Sequence, residues 1–85
     1  MSSNPWDLFF TEDFDSDYQK RIEFANIFDK AIERIRISSD PATLDGIVSC
    51  PRDARFKTLF LEQGQHRILF TILVDVHMVR FDHCY

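Results

Sequence analysis

Lys57, Arg67 and Arg80, with His83 and Tyr85 just beyond, are the side chains of this sequence best suited to chemistry on an anion. A guanidinium presents a planar fork of donors that matches two oxygens of a phosphate, and an ammonium adds a compact positive charge. An imidazole exchanges a proton near neutral pH, which suits His83 to general acid or base work. The Tyr85 ring can stack on a base or stabilise a transferred proton. His66 and His77 lack thiolate or carboxylate company at metal-binding spacing. They read as structural or exposed, and neither a metal nor another cofactor is expected.

Whether these groups meet depends on the strands that carry them. Residues 55–61 and 66–73 are rich in β-branched and aromatic side chains and flank Glu62-Gln63-Gly64-Gln65, which reads as a hairpin loop. A third run covers residues 76–82. With Ile68, Phe70 and Ile72 turned toward a core, alternation puts Arg67, Leu69 and Thr71 on the other face. Phe56 and Phe60 inward predict Lys57 outward, and Val79 and Phe81 inward predict Arg80 outward. The three cations are therefore expected together on one open face. The turn near Leu73-Val74-Asp75 has no glycine or asparagine, and the local sequence does not account for it.

The first half must supply what covers the opposite face. Residues 5–10 read as a short aromatic strand, and Thr11 as a helix N-cap followed by Glu12 and Asp13, where negative charge suits the helix dipole. Phe24, Phe28, Ala31 and Ile35 recur at helical spacing, with Ile27 and Ile32 beside them, and define a stripe that must be buried. Phe14 and Tyr18 form an earlier pair four residues apart. A break near Lys20 and Arg21 would turn the segment into a helical hairpin. Asp40-Pro41 stops it, because the residue before proline is pushed out of the helical region. Residues 42–53, punctuated by Gly46 and Pro51, read as a connection. The expected fold is α+β in the order β-α-α-β-β-β: one domain over residues 1–85, with an antiparallel sheet and a helical hairpin on one face.

Composition bounds the function. The chain has 85 residues, 45% of them hydrophobic and nine of them phenylalanine, which suits one aromatic core and excludes disorder. Residues 1–6 have neither a basic start nor an apolar run, so no secretory signal is read there. The most apolar stretch, residues 68–76, is far below the ~20 residues that span a bilayer. A cytoplasmic protein without a membrane partner is expected, with Cys50 and Cys84 as free thiols. The net charge of −4 divides unevenly, −5 over residues 1–50 and +1 over residues 51–85. An acidic chain binds nucleic acid poorly in general, so any such contact falls to the second half.

The order of elements and several local stretches resemble the RelE/ParE superfamily of bacterial type II toxins. Phe9-Phe10-Thr11-Glu12-Asp13-Phe14 is similar to the family's opening strand and first helix. Ala31-Ile32 through Ile35, closed by Asp40-Pro41, resembles the end of its second helix. Lys57-Thr58-Leu59 and His66-Arg67-Ile68-Leu69-Phe70 are similar to its basic strand and its histidine- or tyrosine-arginine strand. Val79-Arg80-Phe81-Asp82-His83-Cys84-Tyr85 resembles the tail of the branch that ends in histidine and tyrosine.

The resemblance implies a RelE-like fold, a cognate antitoxin as partner, and a ribosome-dependent mRNA endoribonuclease that attacks with the ribose 2′-hydroxyl and needs no metal. It places Arg67, His83 and Tyr85 in catalysis, and Lys57 and Arg80 on substrate phosphate. Two alternatives stay open at this level. One is inhibition of DNA gyrase in the manner of ParE, and the other a non-toxic protein of the fold that keeps only antitoxin binding.

Overall fold

Thr11 marks the first boundary in the chain. Its side chain accepts from the Phe14 backbone N–H at 3.1 Å, and it separates a strand, β1 (Asp7–Phe10), from a helix, α1 (Glu12–Lys20). Glu12, Asp13 and Asp15 fill the first turn of α1, where the helix dipole favours them. At Arg21 the backbone leaves helical geometry, and after one 3-10 turn the chain enters α2 (Ala25–Ile37). The helical hairpin thus breaks at Arg21. A second 3-10 turn at Pro41 is capped by the Asp40 carboxylate on the Ala42 N–H.

The computed structural model describes residues 5–85; the opening four residues, part of the stretch in which no secretory signal is read, lie outside it. Four further strands follow the helices: β2 (Ile47–Ser49), β3 (Phe56–Leu61), β4 (His66–Leu73) and β5 (Met78–Cys84). They form one sheet in the order β1-β5-β4-β3-β2. Neighbours are antiparallel except β1 and β5, which run parallel: β2 leaves the helical hairpin in the sense opposite to β1, and three antiparallel steps return β5 to the β1 direction. β2 lies inside the stretch expected as a plain connection. It has only three residues, too few for an alternation pattern, and it covers the β3 edge.

Both helices cover the same sheet face. Phe14 from α1, Phe28, Ala31 and Ile35 from α2, and Leu59, Leu61, Ile68, Phe70, Val79, Phe81 and Cys84 from the sheet are buried together. Phe14 and Phe10 both lie against the Phe81 ring, at centroid separations of 5.5 and 5.0 Å. Phe14 and Phe81, both buried, each contribute about 1.5–3 kcal/mol, so this contact fixes where α1 sits on β5.

The unexplained turn is a 3-10 turn over Val74–Val76 followed by His77 in left-handed conformation (φ 52°). His77 stacks on Trp6 with centroids 4.0 Å apart, and the Trp6 indole donates to the Ser38 carbonyl at 2.8 Å. The turn is held by tertiary contact where its own sequence offers no turn residue. His66 is likewise structural, with its ring against Phe24 and Phe28. No helix among the described residues is long and apolar enough to cross a membrane.

Candidate functional site

Register decides which side chains share the open face. Directly opposed residues of paired strands point the same way. Phe60 stands opposite Arg67, Thr58 opposite Leu69 and Phe56 opposite Thr71. Across the other edge of β4, Leu69 stands opposite His83 and Thr71 opposite Arg80. Ile68 and Phe70, fully buried, belong to the opposite, helix-covered face. Arg67, His83 and Arg80 therefore share the open face, and Arg67 and Tyr85 close the row by exchanging backbone hydrogen bonds at 2.9 and 2.8 Å.

Lys57 does not belong to that row. It stands opposite Phe70, in phase with buried Leu59 and Leu61, while Phe56 and Phe60 are 39% and 42% exposed. The expectation that Phe56 and Phe60 turn inward is reversed, and Lys57 is displaced to the helix side with it. The cause is that each parity of β3 carries two apolar residues of three, and the leucines fit the face that α2 covers. The Lys57 ammonium donates to the Ser49 hydroxyl at 2.7 Å, across to β2.

Arg80 is on the open face but is engaged. It pairs with the Asp82 carboxylate at 2.7 Å and donates to the Thr71 hydroxyl at 3.2 Å, and that hydroxyl in turn donates to Asp82 at 2.8 Å. Asp82 is the extra residue of a β-bulge: the register shifts from Phe70 opposite Phe81 to Leu69 opposite His83. The bulge lets Asp82 and His83 both avoid the core while Cys84 returns to it. Bulges commonly re-aim side chains in this way.

The other end of the row is built around Tyr85. Its ring lies 4.8 Å from the Arg67 guanidinium carbon, 5.7 Å from that of Arg21, and 5.9 Å from the His83 ring. Arg21 comes from the C-terminal end of α1. β1 stops at Phe10, opposite Phe81, so the last residues of β5 have a free flank and α1 comes in against it. There the Asp17 carboxylate meets His83 Nδ1 at 3.0 Å and the Cys84 backbone N–H at 3.4 Å. Burial, with Asp17 nearby, pushes the Cys84 thiol up to about 11, so it stays protonated and inert at neutral pH.

Between the two ends lies a shallow cleft of about 450 Å³. Phe56, Lys57, Thr58 and Leu69 border it on one side, and Arg80, Asp82 and His83 on the other. Arg67 and Arg80 stand four residues apart along the ladder, about 13 Å at the strand rise. His83 stands between them. Such a row can hold successive phosphates of one strand, with an imidazole beside the linkage and a ring available for stacking.

Asp17 and Arg21 were not legible as site residues. Nothing in their type or spacing marks them, and only the docking of α1 on β5 brings them to the histidine and the tyrosine.

No protein-family model and no curated protein sequence matches the chain. Among solved structures, it is similar to a chain of the RelBE2 toxin–antitoxin complex from Mycobacterium tuberculosis. The TM-score is 0.70 at 18% identity, over 95% of this chain and 90% of that one. The fold is RelE-toxin-like, as the order and spacing of the sequence elements implied.

Proposed function

We propose that this RelE-like chain is the toxin of a type II toxin–antitoxin pair and cuts messenger RNA on the ribosome. The observation that carries the reading is the grouping of Arg67, His83 and Tyr85 at one end of the helix-free sheet face. In the proposed reaction the ribose 2′-hydroxyl gives its proton to His83, and its oxygen forms a bond to phosphorus. The bond from phosphorus to the 5′-oxygen breaks, leaving a cyclic phosphate; the 5′-oxygen takes a proton from water, and the proton held by His83 neutralises the hydroxide that remains. Arg67 offsets the charge gathering on the phosphate oxygens, with Arg80 on the neighbouring phosphate. Tyr85 offers its ring to a base. None of these steps requires a metal or other cofactor. The partners are a cognate antitoxin, the ribosome and its mRNA, in the cytoplasm.

Inducible expression tests this directly. Growth arrest with new transcript ends carrying cyclic phosphate is expected for the wild type, and neither for Arg67→Ala. Arrest by both forms without new ends rejects the nuclease. A second reading, ParE-like inhibition of DNA gyrase, is favoured by one observation: Arg80 is already neutralised by Asp82 in a chain of net charge −4. Loss of supercoiling with purified gyrase would support it. Harmless expression alongside tight antitoxin binding would instead leave a non-toxic member of the fold.

A further inference from the structure

Resting on the nuclease reading above, we infer that Asp17 is a positioning residue that fixes the His83 imidazole as the tautomer able to accept the 2′-proton. The carboxylate lies 3.0 Å from Nδ1, across 66 residues of sequence, and its side chain is only 17% exposed. A carboxylate is an acceptor only, so Nδ1 must carry the hydrogen, and the lone pair is left on Nε2. That is the nitrogen on the far side of the ring from α1. The same logic, an acid that orients a histidine without itself accepting its proton, operates in hydrolytic triads.

The surroundings make the pairing durable. Thr11 caps α1 and also donates from its hydroxyl to the Phe81 and Asp82 carbonyls at 3.0 and 3.1 Å. The helix that carries Asp17 is thus tied at its start to the strand that carries His83. Arg21 donates to the Asp17 backbone oxygen at 3.2 Å, which secures the next turn. The Cys84 N–H adds a second donor to the carboxylate. Asp17 therefore holds both the ring and the backbone beside it.

The test is Asp17→Ala, with Asp17→Glu as the conservative variant, in the full chain. Alanine is the strongest helix former, so α1 is expected to persist, which circular dichroism verifies. Nitrogen-15 NMR of the His83 ring at alkaline pH is expected to show hydrogen on Nδ1 in the wild type and redistribution toward Nε2 in Asp17→Ala. Cleavage of ribosome-bound message is expected to lose on the order of 10- to 100-fold in kcat with KM little changed. In a His83→Ala background the same substitution should have no further effect. Asp17→Glu should recover part of the loss. An unchanged tautomer in Asp17→Ala, or losses that simply add in the double variant, overturns the inference. Wild-type protein that cleaves nothing overturns the nuclease reading and the catalytic consequence with it, while the tautomer measurement still decides whether Asp17 orients the ring.

Discussion

Arg67 and Tyr85 are locked as a backbone pair, N–H to carbonyl in both directions, with the guanidinium over the ring at 4.8 Å. The backbone bonds do not depend on the side chain, so Arg67→Ala should leave the fold intact. An exposed cation–π contact contributes only about 0.5–1 kcal/mol. Urea unfolding should therefore shift by no more than that, whereas mRNA cleavage should fall on the order of 100-fold or more. Arg67→Lys should recover little, because a single ammonium cannot span two phosphate oxygens. A large stability loss in Arg67→Ala with proportionate loss of activity would mean that the residue is structural.

Lys57 and Arg80 both border the cleft, but Lys57 stands opposite buried Phe70 and Arg80 opposite Thr71, and their variants should differ accordingly. Lys57 is in phase with Leu59 and Leu61 and its ammonium is held by the Ser49 hydroxyl, so Lys57→Ala should change cleavage by less than about threefold. Arg80→Ala removes the cation and leaves Asp82 facing the substrate, and should cost about tenfold or more. Asp82→Asn should act the other way on binding, by releasing Arg80. Parallel KM measurements on all three variants check the order, and a Lys57→Ala defect as deep as that of Arg80→Ala would contradict the assignment of faces.

The halves of this pattern were unequally legible. Ile68, Phe70 and Ile72 against Arg67 leave one sensible parity for β4, and the cap at Thr11 and the stripe through Phe28, Ala31 and Ile35 are equally direct. β3 has no such signal, since Phe56 and Phe60 alternate as well as Leu59 and Leu61 do. Only the register against β4 separates them. The bulge at Asp82 breaks alternation just where His83 and Cys84 are placed. Asp17 carried no signal at all, because an acid on an acidic helix becomes specific only when the helix docks.

Thr71 is 2% exposed although it belongs to the open face, because Asp82 and Arg80 close over its hydroxyl. Thr71→Val keeps the shape and removes one donor to the carboxylate and one acceptor from the guanidinium. A cost of about 1–2 kcal/mol is expected, larger than for an ordinary surface threonine. The denaturant midpoint should fall at constant slope. If stability is unchanged, water replaces the hydroxyl and the triad does not constrain the bulge.

Cys84 sets an alkaline limit on the fold. Desolvation is the main cause of its raised pKa, Asp17 adds to it and Arg21 opposes it, with the result near 11 against an ordinary 9.0. A thiol whose folded pKa exceeds the unfolded one contributes stability that is complete below pH 9 and is lost as pH rises toward 11. Two units correspond to about 2–3 kcal/mol. Tyr18, raised by its hydrogen bond to Asp29, titrates in the same direction and must be removed as a variable. Under reducing conditions, urea unfolding of Tyr18→Phe should therefore weaken by roughly this amount between the two ends of that window. The double variant with Cys84→Ala, less stable at neutral pH because of the cavity, should show a much flatter dependence over the same range. Equal slopes in the two proteins would show that the buried thiol is not the group that titrates.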